Sequence, residues 1–335
     1  MRVKIRWIQG ALVAAASWGG LVAASAYHER NQALERLSDV LRGSAQSAAD
    51  AETDAVEARR RGVLFLVNTP PPAGIARAAG NNGFDALEGS TLSHWIGRMQ
   101  TIFKAYLSAN PEAYQLRLIG SADGGREIVR VERRADGTIT AANTDRLQRE
   151  GDRDYFVAAM KLVPPAVYVS NVTLNQEFGQ VEIPHRPTTT VATAVTGPDG
   201  ASFGIVAVNV NKQARIDSWR TALPSGGLLY VINQDGDFIV HPDSRQAFGF
   251  DLGVRHSWQD EFEPVVGAAT GPGLTVWRRG EARFHVAEVR LRRQAEDPTR
   301  ELLFRVAMPD QVVTVTVWSQ VWRLALALAA VALVL

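Results

Sequence analysis

The sequence predicts an α+β fold in which one long helix precedes two antiparallel sheets. Residues 28–61 are polar, rich in alanine and free of proline, which favours a continuous helix. Beyond them, apolar and polar residues alternate in short segments that are separated by turns rich in glycine and aspartate. One group of such segments ends near residue 210, and a second, smaller group begins at residue 228. Strands that are grouped in this way indicate α+β rather than parallel α/β architecture.

Composition limits the function classes. The chain has 335 residues and is 46% hydrophobic, which is enough for a sizeable core. Its formal charge is only +1, and this argues against a nucleic-acid partner. It has no cysteine, which excludes disulfides, thiolate metal sites and a cysteine nucleophile. We predict no cofactor.

The N-terminus predicts a membrane anchor. Arg2, Lys4 and Arg6 precede an uncharged run at 7–27, which is long enough for the ~20 residues that a membrane-spanning helix needs. Basic residues before the run place residues 1–6 in the cytoplasm. The alternative is a cleaved signal peptide, because Ala24-Ser25-Ala26 has the form of a cleavage site. Both interpretations export the following residues.

The C-terminus predicts a second anchor. Trp318 and Trp322 precede Arg323, and twelve uncharged residues follow it, a length of about 18 Å as a helix. That length is too short to cross a hydrocarbon core of about 30 Å. We therefore interpret 309–335 as the start of an incomplete second transmembrane helix; the alternative is the end of a buried helix.

The predicted long helix carries a heptad stripe. Apolar or small residues recur at alternating steps of three and four, at Leu34, Leu37, Leu41, Ser44, Ala48, Ala51 and Ala55. Such a stripe packs along another element. Two interpretations stay open, namely a helix that lies on its own domain and a stalk that pairs with a second copy to form a homodimer.

The remaining elements follow from local patterns. Asn68 to Pro72 predicts a loop, residues 74–91 look irregular, and Leu92 to Leu107 predicts an amphipathic helix. Strands are predicted at 115–119, 127–133, 166–173, 189–196 and 203–210, then at 228–233, 238–241, 274–278, 283–289 and 302–308. Short helices are predicted at 144–160 and 217–223. Arg117 and Arg130 would face each other across the first hairpin, and repulsion between them predicts that both point into water.

This order of elements resembles the double Cache sensory modules, which are tandem PAS-like domains of bacterial histidine kinases, diguanylate cyclases and chemoreceptors. The similar stretches are 114–119, 153–156, 168–170 and 204–209, and in the smaller domain 230–242. The resemblance implies a membrane-distal PAS-like domain at 62–213 and a membrane-proximal one at 214–308, after a stalk helix at 28–61 and between two transmembrane helices. It also implies a ligand-sensing region of a receptor and not an enzyme, with residues 28–308 in the periplasm and both helices in the bacterial inner membrane.

The same resemblance implies a site in the distal domain. Arg153 matches an arginine of the family's amino-acid-binding branch, Tyr155 and Phe156 match its aromatic pair, and Tyr168 matches a strand tyrosine. Ser170 follows on the same strand, and Asn209 stands where that branch has an aspartate. A neutral amide cannot neutralise a ligand ammonium group, so the sequence favours a small polar ligand, such as a carboxylate, over an α-amino acid.

Each predicted site residue also has a structural interpretation. Arg153 could form an ion pair with a neighbouring acid, and the aromatic residues could be core.

His241-Pro242-Asp243 with His256 is a weak candidate for a metal site, and no hydrolase, phosphate-binding or metalloprotease motif is found. Two other function classes stay open. They are a membrane-tethered binding or assembly protein without signalling output and an exported enzyme with an unfamiliar site.

Overall fold

The computed structural model describes residues 2–268, 270–293 and 300–334, without the side chains of 2–17, 316, 320, 324 and 327–334. Its helical segments include one that is far longer than the rest, at the N-terminus. The helical segments are α1 (Arg2–Val67), α2 (Pro70–Ala79), α3 (Leu92–Ala109), the single distorted turn α4 (Ala122–Gly125), α5 (Asp154–Met160), α6 (Gln213–Thr221), α7 (Gly249–Leu252), α8 (Trp258–Glu261) and α9 (Asp310–Val334). With a rise of 1.5 Å per residue, α1 is about 100 Å long.

Two large antiparallel sheets follow, as predicted. The strands are β1 (Phe84–Asp85), β2 (Ser90–Thr91), β3 (Ala113–Gly120), β4 (Glu127–Arg133), β5 (Ile139–Ala141), β6 (Tyr168–Val169), β7 (Thr173–Leu174), β8 (Gln176–Glu177), β9 (Gln180–Val181), β10 (Pro187–Thr196), β11 (Ser202–Asn211), β12 (Leu228–Asn233), β13 (Phe238–Val240), β14 (Glu263–Pro264), β15 (Leu274–Arg279), β16 (Ala282–Arg292) and β17 (Glu301–Pro309). The first sheet has the order β5-β4-β3-β11-β10-β6, with β7 also paired to β10. The second has the order β13-β12-β17-β16-β15-β14.

Alternation along β11 divides the core of the first sheet into two layers. Val206 and Val208 point to one face, where they pack with α2, α3 and the end of α1. Ile205 and Ala207 point to the opposite face, where α5 covers them. Successive strand residues point to opposite faces, so Asn209 lies on the α5 face with Ile205 and Ala207.

Helix α1 packs on both sheets in succession. Its heptad residues Leu34, Leu41 and Ala48 are buried in one cluster with the inner face of the second sheet. Further along, Val63 and Leu66 belong to the core of the first sheet. In the single chain, the stripe therefore packs on the protein's own domain, which is one of the two interpretations that the sequence left open.

Helix α9 returns beside the N-terminal part of α1. Val313 and Val317 pack in the same core cluster as Ala26 and Val22, and Asp310 lies 3.9 Å from Arg30. Residues further along α9 approach residues earlier in α1, so the two helices run antiparallel. Within the described residues, no helix is both long and apolar enough to cross a membrane. The side chains of most of the predicted span at 7–27, and of the last part of 309–335, lie outside the described residues.

Three local predictions differ from the structure. Pro70, Pro71 and Pro72 begin helix α2 rather than a loop, because the first helical turn needs no backbone N–H donors. The helix predicted at 144–160 is reduced to a single 3₁₀ turn at Thr144–Arg146 and to α5. The strand predicted at 166–173 consists of the two short strands β6 and β7, both of which pair with β10.

A fourth prediction, that Arg117 and Arg130 point into water, is wrong. They are opposite each other on β3 and β4, as the hairpin predicts, yet both are buried rather than directed into water. Carboxylates surround them, with Glu127 and Glu150 near Arg117 and with Glu177 2.9 Å from Arg130. These acids neutralise the two cations and remove the repulsion on which the prediction depended.

Candidate ligand-binding cavity

A cavity of about 670 Å³ lies on the α5 face of the first sheet. Five of the six predicted site residues line it, namely Arg153, Tyr155, Tyr168, Ser170 and Asn209. The sixth, Phe156, is buried in the small core beneath α5 with Ile205 and Ala207. Phe156 is therefore a core residue, which is the structural interpretation that the sequence also allowed for it.

The floor of the cavity is a saturated polar network around Asn209. Its Oδ1 accepts hydrogen bonds from Arg117 Nη2 at 3.1 Å and from Thr190 Oγ1 at 3.0 Å. Its Nδ2 donates to Gln115 Oε1 at 3.1 Å and to the Tyr114 hydroxyl at 3.4 Å. All four hydrogen bonds available to an amide are made. Asn209 thus positions Arg117 and has no free group for a ligand.

Arg117 is a buried cation in the floor of the cavity. Its guanidinium lies 3.4 Å from Glu150 and 3.7 Å from Glu127, and it stacks 5.0 Å from the centre of the Tyr155 ring. Burial by itself would lower the pKa of Arg117, but Tyr155, Glu150 and Glu127 together raise it above its ordinary value. Arg117 therefore stays charged, and its charge is already met by protein groups.

The two tyrosines that face this network remain neutral. The Tyr155 hydroxyl donates a hydrogen bond to Glu150 Oε2 at 2.9 Å. Burial raises the pKa of Tyr155 above its ordinary value, and Glu150 raises it further although Arg117 opposes the change. Burial likewise raises the pKa of Tyr114 to about 12. Both can act as hydrogen-bonding groups but not as bases near neutral pH.

Arg153 lies at the rim, just before α5, where its side chain is 37% exposed. Nη1 donates to Gln176 Oε1 at 2.6 Å, and Nε lies 3.8 Å from Glu150 Oε2. The weak ion pair with Glu150 is the structural interpretation that the sequence allowed. A guanidinium has five N–H donors, so most of its donors remain for a ligand.

Tyr168 and Ser170 form the wall on β6 and just beyond it. The guanidinium of Arg300 lies 4.7 Å above the ring of Tyr168. Ser170 Oγ donates to Asn171 O at 2.7 Å and accepts from Thr190 N at 2.9 Å. The serine hydroxyl therefore fixes the strand end, and the tyrosine is the group of this wall that faces the cavity.

Sequence reasoning missed several charged residues of the cavity. Beside Arg117 and Glu150, the lining includes Lys161, Arg300 and Asp251. Lys161 could have been found, because it lies eight residues after Arg153 and thus at the far end of the same segment. Asp251 had no such signal, since it comes from α7, next to the second sheet, and reaches the cavity only through packing between the two sheets.

The second sheet buries an aromatic cluster on its outer face. Tyr230 makes edge contacts with Trp258 and Phe262 and a tilted contact with Phe238, and these ring centres lie 5.2–5.9 Å from its own. His241 packs on the same tyrosine, and its Nε2 lies 3.2 Å from Glu261. Three or more metal-ligating side chains do not come together anywhere in the described ranges.

Comparison with known proteins shows what this arrangement is similar to. Residues 99–262 match the model of the bacterial histidine kinase sensor domain, and this range includes almost all of the cavity lining. The resemblance to bacterial sensory modules that the sequence predicts is thereby confirmed.

Solved structures show the same fold over most of the chain. The ligand-binding domain of the Campylobacter jejuni chemoreceptor Tlp3, in complex with L-valine, is 11% identical with a TM-score of 0.56, and the match covers 86% of this chain and 98% of that one. A domain of a sensory box/GGDEF family protein from Vibrio parahaemolyticus is 12% identical with a TM-score of 0.55, covering 87% and 99%. The periplasmic sensory domain of the C. jejuni chemoreceptor Tlp1 is 13% identical with a TM-score of 0.54, covering 84% and 98%. Curated protein sequences include no significant match to the chain.

Proposed function

We propose that this sensor domain binds a small polar ligand in the cavity beneath α5, with a ligand carboxylate against Arg153. The observation that supports the proposal is the cavity itself, which is lined by polar side chains and carries an arginine with unused donors at its rim. The Tlp3 domain, which has the same fold, was crystallised with L-valine. Glu150 is already bonded to Tyr155, so a ligand carboxylate can replace the weak contact between Glu150 and Arg153 at little cost.

We further propose that the domain is the periplasmic part of a receptor in the bacterial inner membrane. Residues 62–213 would be the membrane-distal unit and 214–308 the membrane-proximal unit. Helices α1 and α9 lie side by side at the same end of the molecule, and both expose aromatic side chains there, at Tyr27, Trp318 and Trp322. Exposed tyrosine and tryptophan at the ends of apolar runs are typical of a membrane interface. We therefore interpret 7–27 and 309–335 as membrane anchors.

The receptor would work as a homodimer that pairs along its long helices. The buried heptad residues of α1 cannot form this contact, since they pack on the second sheet of their own chain. The dimer would instead use the outer side of α1, where Val40 is 49% exposed and Phe65 66%.

Replacement of Arg153 by alanine tests the ligand site. A charge-assisted hydrogen bond contributes about 1.5–3 kcal/mol, so Arg153→Ala should weaken a carboxylate ligand about 10- to 150-fold. Isothermal titration with a library of small carboxylates measures this. The melting temperature of the unliganded protein should hardly change, because the arginine is partly exposed and its ion pair is long.

Two control variants make this test specific. Arg149→Ala removes the same side chain from the same segment, where it is exposed and paired with Asp123, and should leave binding unchanged. His241→Ala probes the second sheet and should also leave binding unchanged. If His241→Ala removes binding while Arg153→Ala does not, the ligand site lies in the second sheet unit. A large drop in melting temperature for Arg153→Ala would show that the arginine is structural.

A further inference from the structure

Asp251 brings a carboxylate from the second sheet unit into the cavity of the first. It lies in α7, and its Oδ2 accepts the backbone N–H of Leu174 at 2.7 Å. Among the described residues, the Asp251 side chain makes no other hydrogen bond and no ion pair. Its second oxygen is therefore available to a ligand, in a cavity that it shares with Arg153.

The turn that carries Asp251 is fixed in position. Phe248, just before α7, is buried in the core and has a left-handed backbone with φ of 58°. A Cβ atom on Gly249 would lie 2.1 Å from the carbonyl oxygen of Val254, so only glycine fits there. The Phe248 N–H donates to Phe238 O at 2.8 Å and ties the turn to the second sheet. The carboxylate is thus held at a defined place, as a ligand-binding group must be.

Its charge is only partly compensated. Burial raises the pKa of Asp251 above its ordinary value, although the Leu174 N–H and the charge of Arg153 both act to lower it. Arg153 is near enough to influence Asp251, yet no ion pair between them is found in the described part of the chain. An anion and a cation thus line the same cavity without an ion pair between them, and each has donors or acceptors to spare.

We propose that Asp251 receives the ammonium group of a small zwitterionic ligand whose carboxylate is held by Arg153. The inference deepens the proposed function and depends on it. It also changes the prediction made from Asn209 alone, since the carboxylate missing from the first sheet is supplied by the second. A ligand held in this way would contact both sheet units at once and would strengthen the link between Leu174 and Asp251.

The test uses matched sets of probes. Each proteinogenic L-amino acid is titrated beside the amine that lacks its carboxylate and the acid that lacks its amino group; for L-valine these are isobutylamine and 3-methylbutanoate. The variants are Asp251→Asn and Asp152→Asn. Asparagine can still accept the Leu174 N–H, so the fold should be kept. Asp152 is an exposed acid on the rim, and its replacement makes the same change of charge.

We expect at least one amino acid to bind the unmodified chain more tightly than its matched acid and amine. Asp251→Asn should weaken that amino acid about 10- to 150-fold and leave the matched acid unaffected. Asp152→Asn should change binding by less than about fivefold, because exposed charges interact weakly with a partner.

Three results would overturn the inference, and they separate it from the proposed function. If acids bind as tightly as amino acids and depend on Arg153 but not on Asp251, the site stands and the role of Asp251 is wrong. If Asp152→Asn weakens amino acids as much as Asp251→Asn does, the attraction is a general effect of charge. If no amino acid binds, or if binding survives Arg153→Ala, the ligand class or the site itself is wrong.

Discussion

Glu52 should be the most sensitive buried charge of the chain to replacement. It lies in the middle of α1 and is fully buried, and both Lys212 and Arg293 form ion pairs with it. Lys212 follows the last strand of the first sheet, and Arg293 follows β16 of the second. Arg293 also donates to Ser170 O at 2.7 Å, next to the cavity. One carboxylate thus holds the long helix to both sheets.

The magnitude follows from the geometry. At 3.4 Å and an effective dielectric constant of about 20, the Glu52–Arg293 attraction alone is about 5 kcal/mol before the cost of burying both charges is subtracted. Removing one partner of a buried ion pair typically costs about 3–5 kcal/mol, because the remaining charge is left buried. Glu52→Gln leaves two such cations, so we expect a loss of at least about 3 kcal/mol in the free energy of unfolding.

The loss of unfolding free energy caused by Glu52→Gln should depend on pH. Burial lowers the pKa of Lys212, and Glu52 is the main group that raises it back. Without Glu52 the folded state releases the Lys212 proton more readily than the unfolded state does. A folded state that binds fewer protons gains stability as pH rises, so the cost of Glu52→Gln should shrink with increasing pH.

Urea unfolding of the purified chain at several pH values measures both effects. Asp54→Asn, an exposed replacement on the same helix, is the matched control and should stay within about 0.5 kcal/mol of the unmodified chain. If Glu52→Gln also stays within that range, the buried cluster contributes nothing and our reasoning is wrong. If the free energy lost through Glu52→Gln is the same at every pH, the role given to the Lys212 proton is wrong.

Two further predictions concern the membrane and the dimer. A reporter fused after residue 335 in a completed span should be cytoplasmic, while residues 28–308 should be labelled only from the periplasm; a periplasmic reporter would reject the second anchor. In membranes, cysteine at the exposed Val40 should crosslink between copies more readily than cysteine at Leu41, which is buried against its own chain; equal crosslinking at both would reject a dimer along the outer side of α1.

Short-range patterns predicted most of the fold. Alternation and turn residues placed β3, β4, β10 and β11 within a few residues, because each strand's faces are determined locally. Three consecutive prolines predict a loop where α2 in fact begins, because proline breaks a helix in its interior but fits its first turn. The burial of Arg117 was missed for another reason. Its counter-charge Glu150 is far along the chain, and no local pattern shows that the two meet.

The sequence predicts the cavity residues that lie close together on one segment of the chain. Arg153 and Tyr155 are neighbours on the segment that crosses the sheet, and both line the cavity. Asp251 depends instead on how α7 docks beside β7, which is set by the packing of two separate sheets. The prediction against an α-amino acid, which depended on Asn209, followed from considering one sheet alone.

A ligand in the cavity would have a short mechanical route to α1 and α9. Thr173 and Gln176 line the cavity, while Val172 and Leu174, on the same short segment, are buried in the cluster that contains Leu34. Val313 and Val317 of α9 belong to the same cluster. Interiors are close-packed, so a displacement of Leu174 cannot be absorbed locally and must move its neighbours. Burying a leucine stabilises by about 1.5–3 kcal/mol, and useful coupling between two sites needs about 1–3 kcal/mol. The packing of this one segment is therefore sufficient to connect the occupancy of the cavity with the relative position of α1 and α9.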